Sequence, residues 1–501
     1  MALSSLFIGR QVWAFRAYQM DLDEAVHANR GLDIASALQR GSLADLWAET
    51  IQPDWYPPAY GYLLGAWFLL VDPSTASARW FSVFCYFLLG LVLWLSAREA
   101  FPQANPFLYL LPPLLLISDD QHVVHAALTM LELPATLLAM TALYFFVKSL
   151  NKPATANFFF TSVFAVLCLM TRYNHGIFLM AGLAISYLLF LKSSLRGKLR
   201  VIVLAWLPGL AFLLLWLFGL GHWQWLVSYA DVQSQGVNQP ATLGYLFYPR
   251  QLLSESSGWL PLLLLAAAIP LWIRRRQFPP AAIPYLVFIG ISFLFLATRT
   301  HNVLRFGMLL FPPLWVLAVG AAGELTALIK SQRLRAATII AGLILLVFFG
   351  VKNNYTLPLR LSTAYENTNT GVDQAYQFIA DSLGQPEGDP QKLVLYGEND
   401  NWSAYALHFY LQSRCMAAHP KCRVLVTGER ELRKGWPPRS QPAEQVDQRT
   451  AQALSEADHI VIFAKQPQIP PGWQPLASSE FELARYQIAP VKMQVLVLEH
   501  E

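Results

Sequence analysis

Ten long, mostly apolar runs occupy the first 351 positions, at residues 79–97, 105–118, 133–149, 157–171, 175–191, 200–220, 258–273, 281–297, 306–323 and 336–351. A helix crossing the hydrocarbon core of a bilayer needs about 20 such residues, fewer where flanking side chains reach back to the interface. Several runs fall short of that length, and 105–118 is interrupted by Pro112-Pro113. With 55% hydrophobic and only 14% charged residues among 501, and a mean hydropathy of +0.37, the chain is too apolar for a soluble globular protein. The expected architecture is an α-helical polytopic membrane protein of about 10–11 transmembrane helices, followed by a small α/β domain.

The net charge of +4 is small and the basic residues fall between apolar runs, which argues for topology and against a nucleic-acid partner. They gather in alternate connections: Arg98, Lys148 and Lys152; Lys192, Arg196, Lys198 and Arg200; Arg274-Arg275-Arg276; Lys330, Arg333 and Arg335. The positive-inside tendency makes these connections cytoplasmic. Residues 20–78, 119–132, 172–174, 221–257, 298–305 and everything after 352 are then extracytoplasmic. Residues 1–19 are only moderately apolar and contain Arg10 and Arg16, without the unbroken core of a secretory signal. Since the chain must reach the outer face before residue 79, the expectation is that its first helix begins upstream.

Two domains follow, 1–351 in the membrane and 352–501 outside it, with 20–78 forming a first outer loop of juxtamembrane helices. The second domain is polar, with strand-like runs at 392–396, 423–427, 459–464 and 492–498 alternating with helix-like stretches near 372–383, 403–413 and 448–457, an α/β pattern. The segment 429–447 reads as a surface loop. No nucleotide-binding glycine fingerprint follows any of these strands. Cys415 and Cys422 lie close together in this domain, where an oxidising compartment would permit a disulfide, while Cys85 and Cys168 lie inside apolar runs as small core residues.

Chemistry is indicated by Asp23 and Glu24, adjacent carboxylates at the start of a stretch in which Ala28, Leu32, Ala35 and Leu38 recur at helical spacing. The purely structural alternative is an N-cap at Asp21 with Glu24 reaching back as a capping box. Further along, Trp55-Tyr56-Pro57-Pro58-Ala59-Tyr60-Gly61-Tyr62 opens a second short apolar helix, Asp72-Pro73 ends it, and Arg79 begins the first clear span.

This order of acidic pair, surface helix, Pro-Pro, surface helix and Arg resembles the first outer loop of the C-type membrane glycosyltransferases, the superfamily of the protein O-mannosyltransferases and the lipid A aminoarabinose transferase. The resemblance extends over roughly the first 350 residues. Ala127-Leu128-Thr129-Met130-Leu131-Glu132-Leu133-Pro134 looks like the second acidic motif, with Glu132 where an Asp is usual. Leu169-Met170-Thr171-Arg172-Tyr173 resembles a segment that usually reads Leu-Thr-Lys, and Arg305-Phe306 followed by Leu310-Phe311-Pro312-Pro313 is similar to a late Arg-Tyr and proline segment.

The resemblance implies transfer of a sugar from a polyprenyl-phosphate donor to an acceptor at the outer face of a bacterial inner membrane, with inversion. It implies Asp23 as general base and Glu24 in support. Independently of any family, a carboxylate suits deprotonation of an acceptor, and guanidiniums suit a departing phosphate. Glu132, Arg172, Arg299, Arg305, Tyr56 and His27 form the candidate substrate-binding set. The acceptor is left open among glycan, lipid and protein.

A divalent metal is left open too: His27, His122, His125, His222 and His301 all fall on the outer face, beside Asp119 and Asp120, but without closed ligand spacing. The aromatic loop 221–257 reads chiefly as an interfacial belt. The competing class is a transporter or flippase of lipid-linked substrates, which would place ionisable groups at mid-membrane and show repeated halves. The apolar runs show neither feature.

Overall fold

The computed structural model describes residues 1–16, 20, 22–51, 56–152, 154–190, 207–220, 222–223, 244–275, 279–297, 304–364, 369–370, 372–384, 391–396, 403–418, 422–428, 451–464, 467–485 and 491–500. Each of the ten apolar runs coincides, over its described part, with helix. Among the described residues, six helices are long and apolar enough to cross a membrane: Thr75–Ala100, Glu132–Asn151, Ser257–Arg274, Pro280–Ala297, Arg305–Ala327 and Gln332–Leu361. The chain is therefore an integral membrane protein with multiple spans. The other apolar helices, among them Pro106–Ile117, Thr155–Thr171 and Tyr173–Leu189, hold 10 to 17 residues. They fall below the length of ten full spans because prolines and polar turns cut the apolar runs, as at Pro112-Pro113 and at Arg172.

In chain order the helices are α1 (Ala2–Ala14), α2 (Leu22–Arg40), α3 (Leu43–Ile51), α4 (Ala59–Leu70), α5 (Thr75–Ala100), α6 (Leu111–Ile117), α7 (Asp120–His125), α8 (Glu132–Asn151), α9 (Thr155–Thr171) and α10 (Tyr173–Phe190). There follow α11 (Leu207–Leu214), α12 (Gly244–Ser254), α13 (Ser256–Arg275), α14 (Ile283–Ala297), α15 (Leu304–Gly307), α16 (Phe311–Ala327), α17 (Gln332–Ala364), α18 (Val372–Leu383) and α19 (Ala404–Ala418). The chain forms two compact units: one holds Met1–Gly9, Pro53–Ala59 and Ser82–Leu357, the other Arg10–Gln52, Tyr60–Phe81 and Pro358–Glu501. The compact grouping thus joins most of the 20–78 segment to the C-terminal α/β portion rather than to the helices that follow it in sequence.

Within the first unit, α8 and α9 pack as an antiparallel pair, and α9 reverses into α10 at Arg172, whose backbone is extended. The reversal is tight because Gly176 lies against the backbone of Leu169, where a Cβ would come within 2.1 Å of Leu169 Cα. The most buried helix is α16, in which every residue from Phe311 to Ala322 is buried, including Trp315. Apolar burial on all sides fits a helix enclosed by other helices rather than by lipid.

Within the second unit a six-stranded sheet has the order β1-β5-β6-β4-β2-β3. The strands are β1 (Asn369–Thr370), β2 (Gln391–Tyr396), β3 (Val424–Gly428), β4 (His459–Ala464), β5 (Trp473–Arg485) and β6 (Val491–His500). β2 pairs parallel with β3 and β4, while β6 is antiparallel to β4 and β5. The inner strand β4 buries Ile460, Val461, Ile462 and Phe463 in succession, the pattern of a strand covered on both faces. Cys415 and Cys422 form a disulfide with Cα atoms 5.4 Å apart, linking the end of α19 to the approach to β3.

α19 also packs on α2. Asn29 donates from Nδ2 to the Tyr405 carbonyl at 2.8 Å, His408 Nε2 is 3.4 Å from Asp33, and Phe68 of α4 lies against Phe409. α2 and α4 cross closely over glycines on both helices. A Cβ on Gly65 would stand 2.9 Å from the Gly31 carbonyl oxygen, and one on Gly61 would stand 2.7 Å from Arg30 Cγ.

Candidate active site

Two buried groupings of carboxylate and arginine stand out, one in each unit. In the second unit, α2 starts with Asp23 and Glu24 in its first turn, where the positive end of the helix favours carboxylates. Successive helical residues point about 100° apart, so the two acids have different surroundings. Glu24 is wholly buried and accepts two bonds from Arg79, Nε at 3.0 Å and Nη2 at 2.9 Å, while Arg79 Nη1 donates to the Phe15 carbonyl at 3.1 Å. This forked pair satisfies the arginine that opens the first clear span. Asp23 is half-buried. His27, one turn on from Asp23, is buried edge-on to Tyr60, with ring centroids 5.7 Å apart. The capping-box alternative at Asp21 lies outside the described residues.

In the first unit, Glu132 is the first residue of α8 and Pro134 follows in the same turn, where a missing N–H costs nothing. Arg172, at the break between α9 and α10, brings Nη1 to 2.8 Å from Glu132 Oε1, and Arg305 of α15 brings Nε to 3.3 Å from the same oxygen. Phe306 lies beneath both guanidiniums, its ring centroid 4.9 Å from Arg172 Cζ and 5.8 Å from Arg305 Cζ, a geometry that holds them by cation–π attraction. Arg172 is 6% and Glu132 3% exposed, whereas the Arg305 side chain is 27% exposed. One carboxylate thus faces two cations, and one of those cations reaches the surface.

His125 of α7, one of the outer-face histidines noted in the sequence, belongs to this neighbourhood. It donates from Nδ1 to the Gln121 carbonyl at 2.8 Å, and its pKa is lowered, first by burial and then by the nearby charge of Arg305, against an opposing pull from Glu132. A neutral ring with Nδ1 protonated presents Nε2 as an acceptor. Only its position three residues after His122 and seven before Glu132 marks it in the sequence.

Beside it, Asp119 caps α7 by accepting from the His122 backbone N–H and from His122 Nδ1, and it accepts the Ser257 hydroxyl at 2.6 Å. Burial raises the Asp119 pKa, but the charge of His122 and the hydrogen bonds from His122 and Ser257 outweigh it, so the carboxyl is held below its ordinary value. Trp315 donates to the Ser257 carbonyl at 2.7 Å. The network ties α7, α13 and α16 together just before Glu132.

Of the remaining candidates, Tyr56 is half-buried, and Arg299 lies outside the described residues, as does His301. Among the described residues no three His, Cys, Asp or Glu side chains come together to hold a metal ion.

Residues 56–223 match the model of a family described as dolichyl-phosphate-mannose-protein mannosyltransferase. The fold is similar over 99% of this chain to that of ArnT from Cupriavidus metallidurans, solved bound to undecaprenyl phosphate (TM-score 0.58, 14% identity, 97% of ArnT covered) and in the apo state (TM-score 0.54, 14% identity, 97% covered). It is also similar to the oligosaccharyltransferase AglB from Archaeoglobus fulgidus, solved with an inhibitory peptide and a dolichol-phosphate (TM-score 0.51, 11% identity, 92% of this chain and 68% of AglB). No curated protein matches the chain at significant similarity. The two comparisons point the same way: residues 56–223 are similar to the protein mannosyltransferase family, and the fold is of the kind seen in ArnT.

Proposed function

We propose that this chain moves a sugar from a polyprenyl-phosphate donor to an acceptor at the extracytoplasmic face of a cell membrane, with inversion at the anomeric carbon. The observation that carries the reading is the convergence of Arg172 and Arg305 on the single carboxylate of Glu132. Two guanidiniums against one carboxylate leave a positive charge with a fork-shaped donor, suited to a phosphate. The similar folds of ArnT and AglB were solved with undecaprenyl phosphate and a dolichol-phosphate, both isoprenoid phosphates, which supports the same donor class here.

In this mechanism the acceptor oxygen attacks the anomeric carbon as the bond to the phosphate oxygen breaks. The bonding pair leaves with the phosphate, where Arg305 and Arg172 stabilise it. The acceptor proton passes to Asp23. Glu24 is already committed to Arg79, so its role is to fix the start of α2 and thereby the acid beside it. Tyr56, His27 and Arg299 are assigned to substrate contact. The transporter alternative is less well supported, because Glu132 opens α8 and Arg172 lies between α9 and α10, at helix ends rather than at mid-span.

The test is to incubate the purified protein with a polyprenyl-phosphate sugar and an envelope extract and to measure free polyprenyl phosphate. Release is expected from the wild type, and Asp23→Asn should stay folded while losing roughly 100- to 10,000-fold in rate. Near-normal turnover by that variant removes Asp23 as base; no release by the wild type removes the transferase reading.

A further inference from the structure

The second unit contains a cavity of about 420 Å³ that none of the candidate catalytic or substrate-binding residues lines. Its walls come from the end of α1, the start of α5, and α18 and α19. Two matching devices face it. At one side Arg16 lies over the Trp13 ring, its Cζ 4.5 Å from the centroid, and donates to the Trp13 carbonyl at 2.8 Å. At the other Arg414 lies over the Tyr410 ring at 5.9 Å. Both are aromatic–arginine pairs at helical spacing, three and four residues apart.

The chemistry of the walls narrows the ligand. None of the described lining residues is acidic, while two are arginines. The ion pair of Arg414 with Asp381 is 3.4 Å long and exposed on both sides (45% and 58%), so it holds the guanidinium only weakly and an incoming anion can compete. Trp13 is 58% exposed, an open apolar face that a folded chain gains little by displaying. Ser74, Thr75 and Ser413 add hydroxyls that both donate and accept. Tyr376 and Tyr410 are tilted by 51° with centroids 5.7 Å apart, which is not the parallel slot that clasps a flat base. Aromatic faces at an angle, hydroxyls and cations suit a puckered, hydroxyl-rich ring carrying a negative group. The volume falls in the range of small-molecule sites, about 300–1,000 Å³.

We propose that this cavity binds an acidic saccharide, a sugar ring bearing a carboxylate or a phosphate, with Trp13 and Tyr410 as ring platforms and Arg16 and Arg414 as anion contacts. Neither Asp23 nor Glu132, Arg172 and Arg305 line this cavity, and its occupancy does not depend on the transfer chemistry proposed above.

Saturation-transfer NMR on the full-length protein in detergent tests it, with glucuronate, glucose 1-phosphate, methyl glucoside and AMP as probes. Both acidic sugars should bind more tightly than methyl glucoside. Trp13→Ala and Arg414→Gln should each weaken the acidic sugars about tenfold, Arg414→Gln also removing the preference over methyl glucoside. Because both side chains are exposed, unchanged thermal unfolding of the variants separates a lost contact from a lost fold. The proposal is overturned by three results: no binding of either acidic sugar, equal binding by wild type and folded variants, or AMP binding as tightly as the acidic sugars. Donor turnover, read on the same preparation, fails separately if only the transferase reading is wrong.

Discussion

Arg79 holds Glu24 through two parallel hydrogen bonds of 3.0 and 2.9 Å, with both side chains wholly shielded from solvent. Burying two ions costs each its hydration, and the mutual attraction offsets that cost only while the fork is intact. Removing one partner strands the other charge. Glu24→Ala and Arg79→Ala should therefore each lower stability by about 3–5 kcal/mol, read as detergent-phase thermal unfolding. The double variant Glu24→Leu/Arg79→Met should recover much of the loss. A double variant as unstable as the sum of the singles would show that the pair is not acting as a unit.

Arg305 and Arg172 share Glu132 but differ in exposure, and this separates their expected effects. Arg305→Ala should raise the KM for a polyprenyl-phosphate sugar about tenfold while leaving the acceptor KM within about twofold. Arg172→Lys should not restore what Arg172→Ala loses, because a point charge cannot reproduce the guanidinium fork over Phe306. Equal loss in donor and acceptor KM for Arg305→Ala would place that side chain elsewhere in the reaction.

Asp119 gives a pH signature. Its folded pKa lies below the ordinary carboxylate value of 3.8, so the folded state binds its proton less readily than the unfolded chain does. Its stabilising contribution is complete above that ordinary value and disappears as pH falls through the lower, folded value. Comparing melting temperatures of wild type and Asp119→Asn, the gap should be constant from neutral pH down to about pH 5 and close under more acid conditions. A gap that widens on acidification would contradict the network.

The disulfide between Cys415 and Cys422 closes a loop with a sequence separation of 7. A loop of that size is worth about 2–3 kcal/mol on the chain-entropy account. Neither thiol should react with maleimide before reduction, and the Cys415→Ser/Cys422→Ser variant should melt at a lower temperature. Labelling of both in the unreduced protein would rule the bridge out.

The membrane helices were legible because apolar length is a direct physical requirement of lipid, and each run reappears as helix over its described residues. Their breaks were harder to read. A proline pair or a brief polar turn shortens a helix while the flanking sequence still averages as apolar, so runs counted as ten spans include helices of only 10 to 17 residues. Glu132, Arg172 and Arg305 were each visible as a charge beside an apolar run, but their meeting on one oxygen depends on α8, α9 and α15 being brought together, which no local pattern encodes. Arg79 was read as the start of a span and as the closing feature of the first-loop resemblance, not as the partner of Glu24. The available signal was its cost: an arginine at the edge of an apolar helix calls for a partner, and Glu24 was the acid on offer.

The same limit explains β5. Its sequence Trp473–Arg485 contains Pro475 and no β-branched residue, and the pairing slips between Pro475 and Ala477, so its strand character comes from β6 rather than from its own propensity.

Where α2 meets α4, peptide backbone touches backbone, and the separation is set by the bare hydrogens of Gly31 and Gly65. A methyl group at position 65 would act as a wedge near the middle of α2, and a rigid rod pried at its centre swings most at its tips. The tip in question carries the carboxylate at position 23, so an alanine there, touching no substrate, would move the proposed base by a distance that catalysis does not forgive.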